Sequence, residues 1–177
     1  MPNLIGWANL WVSLLNPVVR NVTEAVADAC RASVRPVLGS VVYTDLFVGY
    51  IEHSGIYVGN GQIANLTRCG DVTLVSPQEF MRGTTGRHIY VSSRNGKAVG
   101  SDVVAHRALQ RVSMHIKYEF ALRNCHWFAN ECIPVRTSER SKLNSINPVA
   151  NLDFTLSGVK RRAEVILGAN EWRYWDI

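Results

Sequence analysis

The stretch that decides the fold is HSGIYVGNGQIANL, residues 53–66. Its β-branched and aromatic run predicts a strand, Gly-Asn-Gly at 59–61 predicts a turn, and residues 62–66 predict the returning strand. The stretch therefore predicts a β-hairpin whose first strand opens with a histidine, His53. A single histidine on a strand is more often structural than catalytic, so the significance of His53 depends on the rest of the chain.

Hydrophobic patterns on both sides of the hairpin predict more strands and then helices. Residues 37–59 are rich in β-branched and aromatic side chains and predict two or three antiparallel strands, while residues 71–76 and 87–93 predict two more. From Ser101 the apolar residues recur with a helical period, and a further helix is predicted to start at Cys125. Strands grouped before helices are typical of an α+β domain.

Length and composition favour one globular domain. The chain has 177 residues, of which 47% are hydrophobic and 19% charged, with a formal net charge of +5. We expect a single domain over 1–177, made of N-terminal helices (1–35), a core (36–133) and a C-terminal extension (134–177). The net charge would suit acidic partners or an anionic surface. The basic triplet at 160–162 is interpreted as a solvated helix face, so no nucleic-acid partner is expected.

The four cysteines, Cys30, Cys69, Cys125 and Cys132, do not indicate a disulfide framework. A chain of this size can build a sufficient core without cross-links. Cys125 and Cys132 lie about two turns apart on a predicted helix, more than ~10 Å and too far for a bridge. Reduced thiols predict a cytoplasmic location. No spacing of cysteine and histidine resembles a zinc module, so no metal is expected.

The N-terminal segment, residues 1–21, is apolar enough to raise the question of a membrane segment. It has no basic region typical of a signal peptide, and Pro17 interrupts it, so that the run before Pro17 is shorter than the ~20 residues that span a bilayer. We therefore expect neither a signal peptide nor a transmembrane helix. Its apolar stripe favours a helix packed on the core, and the alternative is peripheral membrane contact through Trp7 and Trp11.

Cys125 has the local context of a nucleophile. It follows Asn124, a favoured N-cap residue, and the helix start favours a thiolate by about 0.3–1 kcal/mol. Arg123 adds positive charge nearby. His53 could serve as the base, and Asn65, across the hairpin, shares its face in a regular pleat. An amide oxygen there could hold Nδ1–H of His53 and leave Nε2 free to act on a thiol.

Two motifs resemble those of the lecithin:retinol acyltransferase-like family. EHSGIYVGNGQIANL (52–66) resembles its histidine box, and RNCHWFANECI (123–133) resembles the Asn-Cys motif that carries its nucleophile. YEFALRNC (118–125) and PVLGSVVY (36–43) are similar to segments that precede the cysteine and the histidine in that family. The matches cover roughly residues 36–133. The histidine precedes the cysteine, which is the permuted order of this family within the papain-like superfamily.

The resemblance implies a circularly permuted papain-like fold of the NlpC/P60 type, with an antiparallel sheet packed against helices. It implies an acyltransferase or acyl hydrolase in which His53 deprotonates Cys125 and the thiolate attacks an ester or amide carbonyl. The resulting thioester is resolved by water or by another acceptor. Animal members use phospholipid acyl chains. Substrate contacts are expected from Tyr57, Trp127 and Asn124, and no cofactor is expected.

Two departures from the family pattern keep alternatives open. Asn65 stands where the family commonly has a second histidine, although papain-like enzymes use asparagine in this role. His126 and Trp127 replace the usual Glu-His after the cysteine, and His126 points about 100° away from Cys125 on the helix, so it is expected to be structural or to line the substrate site. One alternative is a non-catalytic protein that acts through a host protein partner, like picornavirus 2A-type proteins. The other is a papain-like peptidase or amidase.

Overall fold

A computed structural model of the chain describes residues 33–47, 51–119, 122–135, 137–144, 154–175 and 177. The helices expected in the N-terminal segment lie almost wholly outside these residues. The membrane contact expected of Trp7 and Trp11 also lies outside them, as does Cys30. The fold is therefore given by the part of the chain that follows Ala32.

Seven strands in the described residues form one antiparallel sheet. They are β1 (Val41–Phe47), β2 (Ile51–Gly59), β3 (Gln62–Leu66), β4 (Val72–Val75), β5 (Tyr90–Arg94), β6 (Lys97–Ala98) and β7 (Glu171–Tyr174). Their order across the sheet is β4-β3-β2-β1-β5-β6, and β7 also pairs with β5. The β1–β2–β3–β4 part is a meander of neighbouring hairpins, as expected for strand runs separated by short glycine-containing turns.

Five helices complete the described part of the fold. They are α1 (Pro77–Phe80), α2 (Asp102–Leu109), α3 (Cys125–Cys132), α4 (Thr137–Asn144) and α5 (Leu156–Leu167). The predicted α+β class is thus confirmed. Helix α2 ends earlier than its apolar period indicates, because the chain then turns through Ser113, whose φ of 69° cannot continue a helix. None of the helices in the described ranges has the length and apolarity needed to cross a bilayer.

The β2–β3 hairpin forms where the sequence places it. Asn60 and Gly61 occupy its turn with φ of 52° and 69°, the left-handed region that asparagine and glycine tolerate best. The register shifts only next to the turn, beyond the pairing of Tyr57 with Ile63. Farther from the turn the pairing is regular, so β2 and β3 keep their alternation towards their open end.

The two faces of the sheet bury different sets of side chains. Ile56 and Ala64 face α2, α3 and α5 and form a first core with them, whereas Ile63 and Phe80 belong to a second core on the opposite face. Because side chains alternate along a strand, even-numbered residues of β2 point to the helices and odd-numbered ones to the second core. His53 is therefore on the second-core face, where its ring stacks on Phe80 with centroids 4.6 Å apart.

The C-terminal extension contributes to the same body as the hairpin. Val159 and Ala163 of α5 are buried in the first core, and β7 pairs with β5. The basic triplet does lie on a helix, but it is half-buried rather than solvated. Lys160 Nζ donates to Tyr43 Oη over 3.0 Å, and Arg162 donates to the Asn130 carbonyl oxygen over 2.8 Å. These cationic side chains therefore donate hydrogen bonds within the fold.

Candidate active site

Helix α3 begins with Cys125, and Asn124 caps it as predicted. Asn124 Oδ1 accepts the backbone N–H groups of His126 and Trp127, each over 3.0 Å. Its Nδ2 donates to the Phe154 carbonyl oxygen over 2.9 Å. One side chain thus satisfies two of the unpaired amides at the helix start and ties that start to the segment before α5.

A cavity of about 780 Å³ opens at the end of the β2–β3 hairpin that is remote from its turn. Three predicted catalytic residues line it: Cys125 from α3, His53 from β2 and Asn65 from β3. Asn124 lines it as well, so the cavity brings together four of the six residues proposed for the site. Its remaining walls are mixed, with apolar side chains (Phe80, Phe154, Leu156) and basic ones (Arg68, Arg82).

The thiol of Cys125 is buried and polar groups surround it. Its S–H donates towards the Glu52 carbonyl oxygen, with Sγ and oxygen 3.9 Å apart. Burial raises the pKa of the thiol, while hydrogen bonds from the backbone and hydroxyl of Ser54 and from the backbone of His126 lower it in part. Burial outweighs these hydrogen bonds, so the resting form at neutral pH is the neutral thiol.

The imidazole of His53 is neutral at physiological pH. Burial lowers its pKa to about 4, and the positive charge of Arg68 acts in the same direction. A side-chain hydrogen bond with Asn65 opposes them by favouring the protonated ring. Asn65 itself is buried, with 4% of its surface exposed. A neutral ring bound at one nitrogen by Asn65 keeps its other nitrogen available to accept a proton.

Ser54 and His126 form a second polar pair against the same thiol. The Ser54 hydroxyl oxygen lies 2.9 Å from Nδ1 of His126, and both residues are buried. Burial and the proximity of His53 lower the pKa of His126 to about 4. The expected placement of His126 at the wall of the site agrees with its position in the cavity.

Sequence reasoning missed Ser54 although a signal was present. The family's histidine box has an aromatic residue directly after the histidine, and this chain has a small hydroxyl residue there instead. Tyr118 is the first residue of the segment at 118–125, and the sequence indicates no role of its own for it. It lines the cavity, and burial together with Cys125 raises the pKa of its phenol. Glu52 contributes its carbonyl oxygen to the thiol, a contact that no side-chain pattern could indicate.

Two predicted substrate contacts lie elsewhere. Tyr57 Oη accepts the Gly61 backbone N–H over 3.3 Å at the turn end of the hairpin, and its ring meets Trp175 edge-on at 5.2 Å between centroids. Trp127 packs against the first core. Neither residue is part of the cavity wall. A substrate contact by either residue therefore stays a prediction that the geometry of this cavity does not support.

The cysteines of the described ranges form neither a cluster of metal ligands nor a disulfide. Within the described ranges no group of three or more histidine, cysteine, aspartate or glutamate side chains could hold a metal ion. Cys69, Cys125 and Cys132 are free thiols, with Cys69 exposed and the other two buried. Cys125 is the one of these three that lines the cavity beside a histidine.

No protein-family model matches this chain, and no curated protein matches it. Its function therefore has to be inferred from the chemistry of the cavity.

Proposed function

We propose that this protein is a cysteine-dependent acyltransferase or acyl hydrolase that forms a thioester on Cys125. His53 is its general base, and Asn65 orients the imidazole. The observation that carries the proposal is the presence of Cys125, His53 and Asn65 in one cavity, with the cysteine at a capped helix start. A nucleophile, a base and a group that orients the base are the three parts that covalent acyl chemistry needs.

The first half of the reaction forms the thioester. As Sγ of Cys125 attacks the carbonyl carbon of the donor, its proton passes to the ring nitrogen of His53 that Asn65 does not hold. The tetrahedral intermediate collapses, the bond to the alcohol or amine breaks, and the imidazolium of His53 returns the proton to that leaving group. The acyl group remains on Cys125 as a thioester.

The second half releases the acyl group. Water, or the hydroxyl or amine of an acceptor, gives its proton to His53 while its oxygen or nitrogen attacks the thioester carbonyl. The carbon–sulfur bond then breaks, and the proton goes to Sγ, which regenerates the thiol. Hydrolysis and transfer differ only in which nucleophile enters the cavity at this step.

Cys125 and His53 both enter the proposed reaction in their uncharged forms. With a pKa of about 4, His53 is unprotonated at pH 7 but is a weak base towards the raised pKa of the Cys125 thiol, so proton transfer depends on stabilisation of the charge that develops during attack. The helix start and the hydrogen bonds from Ser54 favour negative charge on sulfur as it develops. The backbone amide of Cys125, which the Asn124 side chain does not cap, is the proposed donor to the oxyanion. Charge therefore forms during attack rather than before it.

The cavity walls support an acyl donor with an apolar chain. Phe80, Phe154 and Leu156 offer apolar surface beside the thiol, and the volume of about 780 Å³ falls in the range of small-molecule sites. We also propose the permuted papain-like fold for the chain. The strand that carries His53 precedes the helix that carries Cys125, and α3 packs on the antiparallel sheet, which supports that assignment.

The test is acylation followed by intact mass and peptide mapping. The Cys69→Ser protein is mixed with a p-nitrophenyl ester or a short-chain phospholipid, because Cys69 is exposed and would react non-specifically. We expect one acyl adduct on Cys125, lost in Cys125→Ala. In His53→Ala, loss of the base should lower the acylation rate by about 10²–10⁴-fold.

Cys132→Ala is the matched control because Cys132 lies in the same helix and is buried but does not line the cavity. It should keep the adduct. A folded protein that acquires no adduct from ester or amide donors, or acquires one at a cysteine other than Cys125, would contradict the proposal. That outcome would favour the non-catalytic alternative.

A further inference from the structure

We propose that Ser54 and His126 form a hydrogen-bond relay that stabilises the thiolate of Cys125 from the sheet face opposite His53. Consecutive residues of β2 point to opposite faces, so Ser54 points to the helix face of the sheet while His53 points to the second core. The Ser54 hydroxyl oxygen lies 2.9 Å from Nδ1 of His126. The relay adds two positioning residues to the proposed function, and it rests on Cys125 reacting as a thiolate.

The buried Ser54 hydroxyl lies next to two hydrogen-bond partners, one on His126 and one on Cys125. Ser54 is completely buried, and a buried hydroxyl must donate and accept within the protein. Its neighbours are Nδ1 of His126 and the sulfur of Cys125. While Cys125 is a neutral thiol, the hydroxyl donates to Nδ1. That arrangement requires a neutral His126 with its proton on Nε2, and the pKa of about 4 for His126 agrees with it.

Formation of the thiolate redirects the hydrogen bonds of the Ser54 hydroxyl. A charge-assisted bond to sulfur is the stronger one, so the Ser54 hydroxyl rotates to donate to Sγ of Cys125. Its oxygen can then accept from Nδ1–H of His126. His126 gives up its Nε2 proton and gains one at Nδ1 by exchange with solvent in the cavity that it lines. Its charge does not change, and the proton of Cys125 goes to His53.

Other ionisable groups near the thiol have to be held constant in a test. Glu52 and His53 come from β2, and Arg68 and Tyr118 lie on the same cavity wall. Tyr118 is close enough for Cys125 to raise the pKa of its phenol. Because changes at Ser54 and His126 leave these four groups in place, a shift in thiol titration can be assigned to the relay.

The experiment measures the rate of Cys125 alkylation by iodoacetamide against pH in the Cys69→Ser protein. Ser54→Ala removes the donor to sulfur, and His126→Leu removes the partner that orients it. Each is expected to lower the rate at a given pH by roughly tenfold or more, because a hydrogen bond to an anion shifts its pKa by about one unit. His126→Asn keeps an N–H group near the position of Nδ1 and should react like the parent protein.

Ser93→Ala is the matched control for Ser54→Ala. Ser93 is also completely buried, but its hydroxyl donates to the Val91 carbonyl oxygen over 2.9 Å, outside the cavity. Its alkylation profile should equal that of the parent protein. In the parent protein, nitrogen NMR should find the proton of His126 on Nε2 while Cys125 is a thiol.

Three outcomes would overturn the relay. They are unchanged profiles in both Ser54→Ala and His126→Leu, a shift in only one of the two, or equal loss in His126→Asn and His126→Leu. If a variant fails to fold, the tautomer of His126 in the parent protein, measured by NMR, tests the relay instead. A proton on Nδ1 of His126 while Cys125 is a thiol would contradict the relay. No acyl donor is used, so a protein that shows the shifts without forming an acyl adduct would overturn the proposed function and leave the relay standing.

Discussion

Cys125 and His53 are both held in their uncharged forms, and burial is the main cause for each. It raises the pKa of the thiol and lowers the pKa of the imidazole to about 4. A low-dielectric surrounding penalises the charged form of an acid and of a base alike. The pair therefore differs from a preformed thiolate–imidazolium pair, and in the proposed reaction the substrate has to trigger proton transfer.

The three described cysteines should react with iodoacetamide at pH 7 in the order Cys69, Cys125, Cys132. The thiolate is the reactive species, and Cys69 is exposed while burial suppresses ionisation of the other two. Burial raises the pKa of Cys132 to about 12, so it should react only after unfolding. The rate at Cys125 should rise roughly tenfold per pH unit below its pKa. Timed peptide mapping measures all three, and faster labelling of Cys125 than of Cys69 at pH 7 would indicate a preformed thiolate.

Asn65→Ala should slow acylation of Cys125 without removing it. The change deletes the side chain that holds the ring of His53, and loss of an oriented base costs about 10²-fold at the lower end of general-base effects. Asn65→His restores the residue that the resembled family commonly uses and should retain more activity than alanine. The measurement is the single-turnover rate of acyl-adduct formation.

The control for the Asn65→Ala and Asn65→His variants is the rate at which iodoacetamide, a small reagent, alkylates Cys125. Asn65 acts on the base and not on sulfur, so the alkylation rate should change little. Equal acylation rates in Asn65→Ala and the parent protein would show that Asn65 has no orienting role. Because Asn65 is buried, unfolding midpoints should be compared as well.

At the scale of elements, the capped start of α3 positions Cys125, the proposed nucleophile. Asn124 links the amides of His126 and Trp127 to the Phe154 carbonyl oxygen, so one side chain joins α3 to the segment that leads into α5. Cys125 is the first residue of that helix, and any fraying there would move its sulfur. Capping explains why an asparagine directly precedes Cys125, and a contact of Asn124 with substrate stays a prediction.

Asn124→Ala should destabilise the protein and slow acylation together. Loss of an N-cap costs about 1 kcal/mol in the free energy of unfolding, with a range of ~0.5–2 kcal/mol. Asn124→Asp keeps the acceptor for both amides and loses only the donor to Phe154, so its cost should be smaller. Urea unfolding and acylation rates measure the two effects.

Thr155→Ala is the matched control for Asn124→Ala. Thr155 caps α5 through its hydroxyl, which accepts the Gly158 N–H over 3.1 Å. This variant should lose a similar amount of stability but retain the acylation rate more fully, since Thr155 lines the same cavity but does not hold the start of α3. If both variants lost the same fraction of activity, a specific role of the α3 cap would be excluded.

At the scale of the whole molecule, two cores on opposite faces of one sheet enclose two neutral histidines. His53 and His126 each have a pKa of about 4 in the folded protein, whereas an exposed imidazole titrates near 6.5. Between these values the unfolded chain binds more protons than the folded one. The stability contributed by the neutral histidines is therefore complete above about pH 6.5 and is lost as the pH falls towards 4.

Urea unfolding at pH 7.5 and pH 5 should reveal this loss. Each histidine should lower the free energy of unfolding by about 2 kcal/mol over this interval. In His126→Asn the loss should shrink by about that amount, because asparagine does not titrate. His106→Asn, at an exposed helix position, should show the same loss of unfolding free energy between pH 7.5 and pH 5 as the parent protein. A pH dependence that is identical in all three proteins would show that His126 is not held neutral by the fold.

Local elements of the fold were predictable, and long-range pairings were not. The hairpin turn at 59–61 and the N-cap of α3 depend on residues next to each other in sequence, and both form as expected. Strand β7 was missed because it covers only Glu171–Tyr174, and it forms by pairing with β5 some eighty residues earlier. The basic triplet was expected on a solvated helix face; it does lie on α5, but tertiary contacts that the sequence does not indicate leave it half-buried.

The sequence by itself determined the β2–β3 hairpin, the common face of His53 and Asn65, and the position of Cys125 at a helix start. These features follow from strand alternation, turn residues and capping, which act over a few residues. Only the tertiary structure decided that both reacting groups are neutral and that Ser54 faces His126. Burial depends on what the whole chain packs around a group, and Ser54 and His126 are 72 residues apart.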